Sequence, residues 1–184
     1  MGKTIYFVRH GESEWNVADK ICGSTDIPLT DNGREQARIT GELFVQKGIR
    51  ADLIIASPLS RAYETAEIIS SITGIPVKAD ERITEQNFGK WEGTSPRNAA
   101  VFEEAKKQFV IRNEGGESML RLAQRVYNLL DELENDDKTY ILVAHNGIAR
   151  VVKSFFDEMS NDEFAKYGVP NCSITEFKFC SRDG

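Results

Sequence analysis

Three short apolar runs, each ending in an unusual polar sequence where a helical pattern begins, constrain the fold of this chain most strongly. Thr4 to Val8 (T-I-Y-F-V), Asp52 to Ala56 (D-L-I-I-A) and Tyr140 to Ala144 (Y-I-L-V-A) are nearly continuous in apolar character. A strand covered by helices on both faces reads that way, whereas a half-exposed strand alternates. Pro76 to Ala79 and Ser173 to Phe179 are weaker strand candidates, and the last alternates in part, as an edge strand would.

Helical patterns separate these runs. Ser60 is expected to cap a helix carrying Ala62, Ala66, Ile69 and Ile72 on one face, with Gly74 as its stop. Ser118 is expected to cap another, with Met119, Leu122, Val126, Leu129, Leu130 and Leu133 aligned. Ile148, Val151, Val152, Phe155, Phe156 and Met159 mark a third, and Thr30 to Gly48 a less regular fourth. Ser160 and Glu163 form a capping-box pattern for a short helix. The stretch from Ser95 to Asn113 is helix-prone but poorly patterned, which suits an element lying over the body. Strands followed by helices at these intervals predict an α/β fold: residues 1–184 as one domain, with a mostly parallel central sheet flanked by helices on both faces.

The bulk properties exclude several function classes. A length of 184 residues, 40% hydrophobic and 28% charged, is ordinary for a soluble domain. No apolar run approaches the roughly 18 residues that span a bilayer, and Ile5 to Val8 is too short for a signal-peptide core. A cytoplasmic location is expected, with no membrane partner. The net charge of -6 argues against nucleic-acid binding. Cys22, Cys172 and Cys180 form no C-x-x-C pair, and the two histidines are not in H-E-x-x-H, so no metal and no cofactor are expected.

In open α/β sheets ligands bind beyond the carboxyl ends of strands, and the chain concentrates its unusual residues there. The first strand runs into Arg9-His10-Gly11-Glu12, the second into Ser57-Pro58-Leu59-Ser60-Arg61, and the Tyr140 strand into His145-Asn146-Gly147. Both histidines thus stand at strand ends, each near a glycine that could let the backbone approach a ligand. Arg9 and Arg61 are planar, permanently charged donors suited to phosphate. Helix starts beside Arg61 and His145 add backbone N–H groups of the right polarity. Together they describe a site for a dianion.

These residues resemble the signature of the histidine phosphatase (phosphoglycerate mutase-like) superfamily. The core is Arg9-His10-Gly11-Glu12-Ser13-Glu14-Trp15-Asn16. Further matching segments are Gly23, Asp26 to Thr30 with Gly33, Ser57 to Ala62 with Thr65-Ala66, and Glu85 with Phe88 to Gly93. Gly115 to Ser118 and Val143 to Gly147 complete an ordered set covering nearly the whole chain. The resemblance implies a metal-independent phosphatase acting on a small phosphorylated metabolite. His10 would attack phosphorus, with Arg9, Arg61 and His145 holding the phosphoryl oxygens. Asn16, Gly23, Ser24 and Asn146 would contribute to phosphate or substrate binding, and Glu85 would serve as general acid and then base. Trp15 and Trp91 are expected to pack around the mouth of the site.

The chain departs from its relatives in three places, one of them Thr84-Glu85-Gln86-Asn87, an idiosyncratic version of its segment. Many have H-G-G where this one has His145-Asn146-Gly147, so Asn146 either contacts substrate or caps the helix. A long polar residue often precedes Gly23, and here it is Cys22, a small inert filler rather than a redox device. Three functions remain open at this level: phosphomonoester hydrolysis, phosphoglycerate-type mutase chemistry, and non-catalytic phosphate binding. Mutases of the family resemble longer chains with a basic insertion, whereas Gly93 to Gly115 is short here and balances Arg97, Lys106, Lys107 and Arg112 against Glu103, Glu104 and Glu114. That comparison favours hydrolysis.

Overall fold

The Tyr140 strand is buried at every position, and it lies at the centre of the sheet. The structure is a computed structural model that describes residues 3–95, 99–112 and 115–179. Five strands, β1 (Thr4–Arg9), β2 (Leu53–Ala56), β3 (Val77–Ala79), β4 (Tyr140–Ala144) and β5 (Ile174–Lys178), are ordered β3-β2-β4-β1-β5. β4 pairs in parallel with both β1 and β2, and β3 extends β2 in parallel. β5 runs antiparallel along β1 as the edge expected from its partial alternation.

The period-two geometry of β4 divides its side chains between two cores. Tyr140, Leu142 and Ala144 pack with α5 (Met119–Glu134) and α6 (Asn146–Phe156). Ile141 and Val143 pack with Phe44 of α2 (Asp31–Gln46) and with Ala66 and Ile69 of α3 (Ser60–Thr73). A strand with a core on each face must be apolar throughout, and this accounts for the run Y-I-L-V-A. α5 buries the six apolar residues assigned to its inner face, and Ser118 caps it by accepting from Arg121 N.

Helix ends follow the sequence signals with one exception. Thr30 caps α2, Ser160 and Glu163 close a capping box on α7 (Asn161–Lys166), and Gly74 ends α3 at φ 74°. Ser60, however, is the first residue of α3 and not its cap; Leu59 holds that place with no side-chain bond. The missing cap comes from a distant loop, where Asp26 Oδ1 accepts from Ser60 N and Ser60 Oγ, both at 2.8 Å. A carboxylate there also complements the positive end of the helix.

The remaining elements cover the carboxyl end of the sheet. They are a short α1 (Glu14–Val17), two 3₁₀ turns (Glu81–Ile83 and Gly89–Trp91) and an eight-residue α4 (Ala99–Lys106). α4 is the helical part of the segment expected to lie over the body. Arg97, Glu114 and Cys180 lie outside the described residues. No helix among the described residues is long and apolar enough to cross a membrane.

Candidate active site

Strand register brings the two histidines together. Arg9 pairs with Ala144 across the parallel β1–β4 ladder, so the next residue of each strand, His10 and His145, shares a rank. His10 N donates to Ala144 O at 2.8 Å, and the two imidazoles stand 5.1 Å apart, centroid to centroid. β2 continues the rank: Ser57 N donates to Val143 O, and Ser57 Oγ lies 2.7 Å from His145 Nε2. Arg61 then enters from the first turn of α3.

The His10 ring is buried, and its Nδ1 lies 2.7 Å from Gly11 O. A carbonyl oxygen accepts only, so Nδ1 carries the proton and Nε2 keeps its lone pair. Burial, reinforced by the positive charges of Arg61 and Arg9, holds His10 well below the usual histidine range. His145 is likewise pushed well down, by burial first and then by Arg61, His10 and Arg9. Both rings are neutral at pH 7.

The arginines are anchored by backbone carbonyls. Arg61 is fully buried; its Nη2 donates to Gly23 O at 2.7 Å and its Nη1 to Thr25 O at 2.9 Å. Arg9 Nη1 donates to Val169 O at 2.8 Å. Among the described residues, Arg9 Nε, Arg61 Nε and His145 Nδ1 are buried without a hydrogen-bond partner. Unpaired buried donors cost about 1–3 kcal/mol each. Arg61 and Arg9 both bear electrostatically on the His10 ring and the His145 ring stands beside it, so these three nitrogens are donors available to an anion's oxygens.

Glu85 is buried opposite, its carboxylate clamped by two backbone amides: Gln86 N on Oε1 and Gly147 N on Oε2, both at 2.9 Å. The glycines of the motifs also serve this packing, and Gly147 lines the cavity as well. A Cβ on Gly147 would stand 2.3 Å from Glu85 Oε1. A Cβ on Gly11 would stand 2.3 Å from Gly33 O, and so the loop after β1 lies directly on the start of α2.

A cavity of about 220 Å³ opens over His10, lined by Arg9, Asn16, Cys22, Glu85, Asn146 and Gly147 among others. Of the residues expected at the site, Arg61, His145, Gly23 and Ser24 do not line it; Arg61 and His145 are fully buried, Gly23 offers its carbonyl to Arg61, and Ser24 is bonded to Glu92. Asn16 closes a capping box with Ser13 and is among the residues lining the cavity. Asn146 does not cap α6: His145 occupies that position, and Asn146 Oδ1 accepts from Val169 N at 2.9 Å. Burial pushes the Cys22 thiol up to about 11, consistent with an inert filler. Trp15 packs over Gly93 and Trp91 against Phe102.

Apart from Lys106, counted among the cations of the cover, and Thr65, part of a matching segment, the further residues lining or bracing the cavity were not singled out from the sequence. Lys20, Phe102 and Arg150 line it, as does Lys106 of α4, while neighbouring Lys107 pairs with Glu104 and Asp162. Arg150 was the most legible of these, a buried cation on the otherwise apolar face of α6. Asn171 Nδ2 donates to His10 O at 2.7 Å, and Thr65 Oγ1 accepts from Gly11 N at 3.0 Å. No group of three or more His, Cys, Asp and Glu that could hold a metal ion occurs among the described residues.

The chain has relatives among known proteins. A family model described as the histidine phosphatase superfamily (branch 1) matches residues 5–184. A probable phosphoglycerate mutase GpmB of Yersinia pestis (strain Pestoides F) is 33% identical, over 95% of this chain and 84% of that protein. A phosphoserine phosphatase of Entamoeba histolytica, solved with 3-phosphoglyceric acid, superposes with a TM-score of 0.81 at 31% identity, covering 96% of this chain and 91% of that one. A mycobacterial glucosyl-3-phosphoglycerate phosphatase does so with a TM-score of 0.80 at 28% identity, covering 96% and 90%.

Proposed function

Because the chain belongs to the histidine phosphatase superfamily, we propose that it hydrolyses small phosphate monoesters through a phosphohistidine on His10, without a metal ion. The observation that carries this reading is the set of unpartnered buried nitrogens on Arg9, Arg61 and His145 around the free Nε2 of a neutral His10.

The chemistry follows from the geometry. A phosphoryl group seated on those nitrogens has its negative charge met by two guanidiniums and the N-terminus of α6. His10 Nε2 forms a bond to phosphorus as the ester P–O bond breaks in line, and Gly11 O accepts from Nδ1–H throughout, stabilising the cationic ring. The leaving oxygen takes a proton from Glu85. The two backbone amides occupy one lone-pair site on each of its oxygens, leaving others for that proton. Water then gives a proton back to Glu85 and attacks phosphorus, the N–P bond breaks, and inorganic phosphate leaves.

The cavity's size suits a small ester, and Lys20, Lys106 and Arg150 around it favour a polar or anionic remainder on the substrate. The phosphoserine and glucosyl-phosphoglycerate phosphatases among its neighbours act on substrates of that kind. Identity to a probable mutase favours a second reading, phosphoryl transfer between hydroxyls of one acid. Hydrolysis is preferred because α4 is an eight-residue cover, too small to keep water from the phosphohistidine. A cytoplasmic setting completes the proposal.

Phosphate release from a panel of phosphorylated metabolites, with and without a chelator, tests the reading. It is measured against isomerisation of 3-phosphoglycerate primed with 2,3-bisphosphoglycerate. Release that survives chelation and exceeds isomerisation is expected. Isomerisation outrunning every hydrolysis, or activity that needs a divalent ion, would overturn it.

A further inference from the structure

Glu92 does not line the cavity, yet its carboxylate gathers an unusual set of donors. It accepts from the backbone amides of Ser24 (2.9 Å), Thr25 (2.8 Å) and Phe88 (3.0 Å) and from the hydroxyls of Ser24 (3.2 Å) and Thr25. A Cβ on Gly23 would stand 2.3 Å from Glu92 Oε1, so the loop can wrap the carboxylate closely only with glycine there. The same loop holds Arg61. Ser24 N donates to Glu92, and Gly23 O, in the same peptide group, accepts from Arg61 Nη2. A trans peptide is planar with its C=O and N–H directed oppositely, so fixing one end fixes the other.

From this linkage we propose that Glu92 is a positioning residue that aims the Arg61 guanidinium through the Gly23–Ser24 peptide; the proposal rests on the phosphoryl-transfer reading of the site. Arg61 is fully buried, and the partners of its guanidinium among the described residues are the carbonyls of Gly23 and Thr25. Its charge is balanced at one remove, by a carboxylate that polarises the peptide toward it. Burial raises the proton affinity of Glu92, but the hydrogen bonds from Thr25, Phe88 and Ser24 outweigh it and hold the carboxyl below its usual range. The brace is therefore ionised at neutral pH. Loss of the brace frees Arg61 to shift, and displacements of about 1 Å at a phosphoryl-binding group cost about 100-fold in rate.

The test is a double-mutant cycle between Glu92→Gln and Arg61→Lys, read by calorimetric binding of inorganic phosphate. Glu92→Gln removes the charge and sets an NH2 donor against either the Thr25 amide or those of Ser24 and Phe88, and phosphate affinity should fall about 10- to 100-fold with a matching fall in kcat. In the Arg61→Lys background the same change should alter affinity less than about twofold, since the group it positions is gone. Losses that multiply, or unchanged affinity in Glu92→Gln, would overturn the proposal. Thr25→Val, at an exposed position, removes one donor and should give a smaller loss in the same direction even if Glu92→Gln folds poorly. NMR of the Arg61 guanidinium protons separates this proposal from the function itself. Their protection by Gly23 and Thr25 should drop in both variants whether or not the enzyme binds phosphate. Protection equal to the parent's would refute the brace, whereas a parent that neither binds phosphate nor hydrolyses any ester would refute the catalytic reading alone.

Discussion

Gly147→Ala should disable the acid–base group while leaving the fold intact. The added methyl carbon would sit 2.3 Å from Glu85 Oε1, 3.0 Å from Cδ and 3.2 Å from Oε2. Ordinary contact needs about 3.5 Å, so the carboxylate must retreat by roughly 1 Å. That retreat breaks the bonds from Gly147 N and Gln86 N, both 2.9 Å. Charge-assisted bonds of this kind contribute about 1.5–3 kcal/mol each. The backbone has no objection, because Gly147 lies in the first turn of α6 outside the positive-φ glycines, and alanine is the better helix former by about 1 kcal/mol. That gain offsets only part of the two lost bonds, so the thermal midpoint should fall by several degrees while the chain still folds. Activity should fall much further than stability, since a misplacement of about 1 Å costs on the order of 100-fold. The assay is kcat/KM for an alkyl phosphate and for p-nitrophenyl phosphate, which reports the steps through phosphorylation of His10. The alkyl ester, which needs its leaving oxygen protonated, should lose about 100-fold, and the aryl ester far less. Equal losses for both, or none, would show that Glu85 does not protonate the leaving group.

Other outcomes follow from the same geometry. His10→Ala should remove turnover by several orders of magnitude with the fold retained, and label from substrate should be trapped on the parent enzyme in an acid-labile, base-stable form. Label stable to acid would point to another nucleophile. Gly11→Ala should instead destabilise the protein, by about 1–3 kcal/mol in urea titration, because its methyl meets the backbone of Gly33 and not a mobile side chain. Stability should also fall as pH drops from about 6.5 toward 5, above the range where most carboxylates titrate. The unfolded chain takes up protons on His10 and His145 there, while the folded pair, held well below 6.5, does not. A flat urea midpoint across that window would mean that the rings are not held neutral.

The strands, the inner faces of α5 and α6 and the ranks of Arg9, His10, Arg61 and His145 were legible in the chain because local periodicity and burial on both sheet faces leave their mark residue by residue. Ordered motifs likewise pointed to Glu85, although nothing local distinguishes it from a surface carboxylate. The supporting contacts could not be read in that way. Asp26 rather than Ser60 caps α3, Glu92 braces the loop that holds Arg61, and Asn171 meets the His10 carbonyl from 161 positions away. Each joins a common polar residue to a backbone group remote in the chain, and a carboxylate or amide has the same local appearance whether it faces water or an orphan N–H. Which of these it meets is decided when parallel register and helix packing close the sheet's carboxyl end, since only then are the buried donors and acceptors that must be paired brought into reach.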